Sequence, residues 1–113
     1  GKTFNAQRLL QYLVTSAGSV NSTLTVEKLN SVYTLMSAFG TCKTRLTNNA
    51  SRFTHIFTVD FDQGGQICSA FVRAQMLEKT RVIQRTDGEQ TFNVFILLLA
   101  GSDNNLREDL LLQ

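Results

Sequence analysis

The chain has 113 residues, a net charge of +2 and 42% hydrophobic residues. That is one domain at most, large enough to bury roughly two-thirds of its unfolded surface. The 11 basic residues are scattered, so no basic stripe argues for nucleic acid and no basic amphipathic helix argues for a membrane. The longest apolar run, Val94 to Ala100, is far short of the ~20 residues that span a bilayer.

Cys42 and Cys68 have one histidine for company and lack metal-ligand spacing. Both are expected to be buried small hydrophobes. The sequons at Asn21 and Asn49 read as chance matches, because no signal peptide precedes them. A cytosolic protein is the default expectation. The sequence starts at Gly1-Lys2-Thr3, without Met and partway through the phosphate-loop pattern G-x-x-x-x-G-K-[ST]. It reads as a piece of something larger.

Residues 3–17 are predicted helical, because Ala6, Leu9, Leu10, Leu13, Val14 and Ala17 form one apolar stripe. Gly18 is a plausible stop. A helix opening on Lys2-Thr3 aims backbone N–H groups and its positive dipole end at whatever lies before it, which suits a phosphate. The tripeptide alone is a weak signal, since the full motif is absent.

A polar loop, residues 19–24, leads to a second helix. Thr25 is its expected N-cap, Glu27 sits favourably in the first turn, and Gly40 suits its end near Phe39. Val26, Leu29, Tyr33 and Met36 make a stripe that Val32, Leu35 and Phe39 widen, the pattern of a helix buried against a sheet. Residues 41–51 have no apolar period and read as a loop, with Asn48 and Asn49 favouring tight turns.

From Phe53 the period becomes two. Phe53, His55, Phe57, Val59 and Phe61 share one face; Ile56 is the apolar exception on the other. His55 on that face is expected to be structural. The turn Asp62-Gln63-Gly64-Gly65 joins this run to a second, with Cys68, Ala70, Val72, Ala74 and Met76 on one face. An antiparallel hairpin over about residues 52–76 is predicted.

Glu78, Lys79 and Arg81 look like a charged cluster, but a salt-bridged strand end is the expected reading. Residues 86–89 are a turn. Phe92, Phe95, Ile96, Leu98 and Leu99 fill most of the circumference of the next helix, which is therefore expected to be deeply buried. A last helix is predicted from about Asn104 to Leu112.

In this order the segments resemble the myosin motor head over essentially the whole chain. Gly1-Lys2-Thr3 is similar to the end of the myosin phosphate loop. Ala38-Phe39-Gly40 with Lys43-Thr44 resembles the approach to switch I, and Asn49-Ala50-Ser51-Arg52-Phe53 resembles switch I itself. Met76-Leu77-Glu78-Lys79-Thr80-Arg81-Val82 resembles the segment after the family's hairpin. Thr91-Phe92-Asn93-Val94-Phe95 with Leu97-Leu98-Leu99 resembles its Thr-Phe-His-Ile-Phe run. Each tag is modest alone, and their order and spacing are specific. Thr58-Val59-Asp60-Phe61-Asp62-Gln63-Gly64-Gly65-Gln66, Val26-Glu27-Lys28 and Ala50-Ser51-Arg52-Phe53 point within the family to class XVIII.

The resemblance implies an α/β fold: part of a P-loop NTPase-type motor core, with helices packed on a twisted mixed sheet that includes the hairpin. It implies that residues 1–113 form a single fragment of a motor domain: phosphate-loop helix, switch I, transducer-type hairpin and C-terminal helices. Gly1, Lys2, Thr3, Asn49, Ser51 and Arg52 would contact nucleotide, with Thr3 and Ser51 as magnesium ligands and Arg52 pairing with a switch II glutamate outside this chain. ATP or ADP with Mg2+ would be bound weakly, and only by the complete head. Partners would be actin filaments, with self-association through a coiled-coil tail elsewhere in the parent, in a cytoplasmic, cytoskeletal setting without nucleic acid or membrane insertion.

The departures from the family pattern matter more. Hydrolysing myosins carry Ser where this chain has Ala50, and that hydroxyl handles the γ-phosphate and the attacking water. Phosphoryl transfer depends on positioning and charge stabilisation, so losing one such contact would cost a factor of about a hundred or more. Thr54 stands for a glycine, Phe4 for a glutamate and Thr47 for an asparagine. No catalytic residue is therefore assigned. Weak nucleotide binding with little or no turnover is expected of the head, and no ATPase of this stretch alone. The alternative is an active actin-dependent ATPase with a divergent switch I; a purely structural domain with a vestigial phosphate loop is the third reading.

Overall fold

The computed structural model describes residues 1–112. The chain divides into two compact units, each discontinuous in sequence: residues 1–35 with 54–75, and residues 36–53 with 76–113. Helices and small antiparallel sheets make up both, in accord with the α/β expectation.

In the first unit, α1 (Lys2–Ala17) ends at Gly18, whose φ of 69° and N–H to the Val14 carbonyl close the last turn. A short 3-10 turn over Val20–Ser22 leads to α2 (Val26–Gly40). Thr25 caps α2 as predicted, its hydroxyl accepting from the Lys28 N–H at 3.2 Å. β3 (Thr54–Phe61) and β4 (Ile67–Gln75) form the expected hairpin, slightly shorter than the predicted 52–76.

The register puts His55 opposite Ala74, Phe57 opposite Val72 and Val59 opposite Ala70, so the apolar sets of the two strands share a face. A bulge between Asp60 and Phe61 then brings Ile67, not Cys68, opposite Phe61. Cys68 is exposed, which corrects the expectation that both cysteines are buried. It is the residue that the bulge leaves unpaired.

The core of this unit is Leu10, Val14, Leu24, Leu29, Tyr33 and Ile67, with Ala17, Val26, Phe57 and Val59 packed on it. Leu29 and Ile67 are fully buried, each such side chain contributing about 1.5–3 kcal/mol. Burial raises the Tyr33 pKa above its ordinary value. His55 meets Tyr33 edge-on at 5.7 Å. No group of three or more His, Cys, Asp or Glu able to hold a metal occurs among the described residues.

In the second unit, α2 runs directly into β1 (Thr41–Cys42), which pairs antiparallel with β2 (Ala50–Ser51). This corrects the reading of residues 41–51 as loop throughout. Strands of two residues are too short to show a period. Cys42 and Phe92 are buried and bridged to one another. The Asn93 amide donates to the Thr41 hydroxyl at 2.9 Å, and that hydroxyl donates to the Ser37 carbonyl at 2.7 Å.

Residues 79–82 form a 3-10 turn rather than a strand end. α3 (Asn93–Gly101) has no buried residue among those described, although deep burial was predicted; Phe95 to Leu99 are all exposed. α4 (Asn104–Asp109) is shorter than predicted and is capped by Asp103, whose side chain accepts from the Leu106 N–H at 2.8 Å.

Candidate functional site

The predicted site residues fall in both units: Gly1, Lys2 and Thr3 in the first, Asn49, Ser51 and Arg52 in the second. Gly1 is the N-cap of α1 and supplies no capping side chain; its carbonyl accepts the Asn5 N–H at 2.9 Å. The first turn of α1 contains no acid. Lys2 and Thr3 are exposed. This first turn therefore presents an ammonium and a hydroxyl beside backbone N–H groups, the chemistry that could hold a phosphate and a metal ion.

The second set sits on a built loop. The Thr44 N–H donates to the Thr47 carbonyl at 2.9 Å, and the Thr44 hydroxyl accepts the Thr47 N–H at 3.3 Å, closing a tight turn. The Asn49 N–H reaches the Thr47 hydroxyl at 3.4 Å, and its side chain is exposed. Ala50 and Ser51 then pair with Cys42 and Thr41. The Ser51 hydroxyl donates to the Phe53 carbonyl at 3.2 Å, so it carries an oxygen lone pair for a cation. Ala50, the first residue of β2, has no polar group in its side chain. The Arg52 N–H donates to the Gly40 carbonyl at 2.8 Å, tying the end of the loop to the end of α2.

The Arg52 side chain has a partner within the chain. Its Nε lies 2.6 Å from Glu78 Oε2, and the Glu78 N–H donates to the Arg52 carbonyl at 3.0 Å. The only partner the sequence suggested was a carboxylate outside this stretch. The same Glu78 oxygen accepts from Arg81 Nε at 2.9 Å. Arg81 is 3% exposed and also holds Glu89 at 3.0 Å and the Gln90 carbonyl at 3.2 Å. Two arginines and two glutamates thus form one charge-balanced chain, Arg52–Glu78–Arg81–Glu89. Charge-assisted bonds of this kind justify burying an arginine, which uncompensated would be costly.

The electrostatics follow the contacts. Hydrogen bonds from Arg52 and then Arg81 hold the Glu78 carboxyl below its ordinary pKa. The bond from Arg81 does the same to Glu89. The bond to Glu78 raises the pKa of both guanidinium groups. Burial pushes the Cys42 thiol up, the state of an inert thiol. Nothing in the sequence placed Glu78 against Arg52, because a pair 26 residues apart leaves no periodic trace. The one available signal was the density of charge in Glu78-Lys79-Thr80-Arg81.

Comparison with known proteins identifies the relatives of this chain. The chain is 47% identical over 111 residues to unconventional myosin-XVIIIa of Mus musculus, covering 97% of this chain and 5% of that protein. It is 38% identical over 110 residues to unconventional myosin-XVIIIb of Homo sapiens, covering 97% of this chain and 4% of that one. Myosin type-2 heavy chain 1 of Schizosaccharomyces pombe is 36% identical over 114 residues, covering 99% of this chain and 8% of that protein. The chain therefore spans a small part of each of these relatives. The family model of the myosin head (motor domain) matches residues 1–113, and the chain belongs to that family.

Proposed function

We propose that this chain is the nucleotide-facing part of an unconventional myosin head that binds actin filaments and hydrolyses ATP weakly or not at all. The parent acts as a cytoskeletal tether in the cytoplasm rather than a fast motor, and self-associates through a coiled-coil tail elsewhere in its sequence. Lys2 places a positive charge against phosphate oxygens. Thr3 and Ser51 offer hydroxyl oxygens to magnesium, and Asn49 lies along the phosphates. Bound magnesium supplies charge neutralisation on the phosphates.

Ala50 carries this reading. Its neighbours keep hydroxyl and guanidinium groups, while the side chain at residue 50 is only a methyl group. Grip is retained and a hydrogen bond for positioning water is lost. The second reading, an active ATPase with a divergent switch I, draws on the retained Lys2, Thr3, Ser51 and Arg52.

The two readings separate in the complete head by actin-activated phosphate release, compared with an Ala50→Ser variant. Slow release, accelerated by restoring the hydroxyl, is the expected result. Brisk turnover by the unmodified head refutes the proposal. Failure of the head to bind magnesium nucleotide would leave a structural domain with a vestigial phosphate loop.

A further inference from the structure

We infer that Glu78 is a positioning residue: by holding Arg52 it sets the conformation of the loop from Thr47 to Phe53. The inference rests on the reading of that loop as nucleotide-facing, and it assigns the loop's control to a residue outside the proposed nucleotide and metal contacts.

The grip on residue 52 is double. Glu78 takes the Arg52 Nε with its carboxylate at 2.6 Å and the Arg52 carbonyl with its own N–H at 3.0 Å. Two bonds between the same pair of residues fix both backbone and side chain. Glu78 is itself anchored, because Arg81 binds it from the buried side. Arg81 is anchored in turn by Glu89 and the Gln90 carbonyl, and the Gln90 N–H donates to the Lys43 carbonyl at 3.0 Å. The support therefore runs from a buried guanidinium, through one carboxylate, to a half-exposed arginine at the end of the loop.

Arg52 engages Glu78 through Nε alone, and its two terminal nitrogens make no hydrogen bond among the described residues. Held by one edge, the guanidinium keeps its paired η nitrogens for a second carboxylate or a phosphate. Glu78 thus orients Arg52 without consuming it. The Glu89 contact is the natural control: it neutralises Arg81 and does not touch Arg52.

The test is hydrogen exchange of amides 47–53 in the complete head, for the unmodified protein and for Glu78→Gln and Glu89→Gln. Glu78→Gln is expected to speed exchange in this segment roughly three- to tenfold, the loss of a partly exposed charge-assisted bond. Glu89→Gln is expected to leave residues 47–53 near the unmodified rate while loosening residues 81–90. If both variants loosen the loop equally, the effect runs through Arg81 and the fold, and the inference fails. It also fails if Glu78→Gln leaves the loop unchanged.

Should Glu78→Gln not fold, Arg52→Ala gives the same readout: faster exchange at 47–53 without change at 79–90 is expected, and an unchanged loop overturns the inference. A parallel titration with a fluorescent ribose-labelled ADP and magnesium should show weaker binding by a similar factor. Absence of binding by the unmodified head counts against the proposed function, while the exchange experiment still decides the role of Glu78.

Discussion

Gly40 offers the most exacting test of this structure, because its replacement by alanine sets two calculable effects against each other. Gly40 is the last residue of α2. A Cβ there would lie 2.3 Å from Phe53 Cδ1 and 2.4 Å from Cε1. Carbon atoms prefer ~3.5–4.0 Å, so the ring or the helix end must move by more than about 1 Å. Overpacking of this kind costs about 1–3 kcal/mol, occasionally more. Alanine recovers up to about 1 kcal/mol through its better helix propensity.

The clash wins, leaving a net local loss of roughly 1–2 kcal/mol. Because Gly40 also accepts the Arg52 N–H through its carbonyl, the displacement reaches the candidate site. Hydrogen exchange of amides 40–53 in the complete head should accelerate roughly 5- to 30-fold. Gly101→Ala is the reference, since a Cβ at Gly101 meets nothing within 4 Å; it should leave the fold unchanged or slightly stabilised. Combining Gly40→Ala with Phe53→Ala should recover part of the loss by removing the ring. An unperturbed Gly40→Ala, or a double variant no better than the sum of its parts, would refute the reasoning.

Two other predictions concern charge and core. Glu78 and Glu89 have lowered folded-state pKa values, so their contribution is complete above the ordinary glutamate value of about 4.3 and is lost as pH falls through the lowered values. Denaturant resistance of the complete head should therefore rise with pH across that acidic window, and Glu89→Gln should flatten the rise. Leu29→Ala, at a position with no exposed surface, should cost about 2–5 kcal/mol, read as a lowered denaturant midpoint; a cost below 1 kcal/mol would contradict the packing described.

Elements with long repeats were legible in the sequence. The stripe from Ala6 to Ala17 and the alternation from His55 to Phe61 each repeat often enough to define a face, and Leu10, Val14 and Ala17 of the first and Phe57 and Val59 of the second meet in one core, while Leu9 and Phe61 stay exposed. The turn glycines were legible for a different reason: Gly65 and Gly88 have φ of 79° and 80°, a region that favours glycine. Short or unlike features were not readable. β1 and β2 contain two residues each, and the bulge that exposes Cys68 is a single-residue event that inverts which side chain faces inward.

α3 shows a different limit. Apolar residues all round a helix signal an affinity for burial, and they do not name what covers it. Within the site, Gly1, Lys2, Thr3, Asn49, Ser51 and Arg52 could be named from their motifs. Glu78 could not, since its importance lies in a contact between segments separated by the whole hairpin.

That separation also orders events during synthesis. The second unit is assembled from residues 36–53 and 76–113, and its defining contacts join Arg52 to Glu78, Cys42 to Phe92 and Thr41 to Asn93. None of these can form until the ribosome has passed residue 78, and the last two only after residue 92. The hairpin over residues 54–75 is local and can zip up on a microsecond timescale as soon as it emerges. By drawing its two ends together, it shortens the loop that must be closed before Glu78 meets Arg52. A variant that delays the hairpin would slow maturation of the candidate site, even though none of its residues belongs to that site.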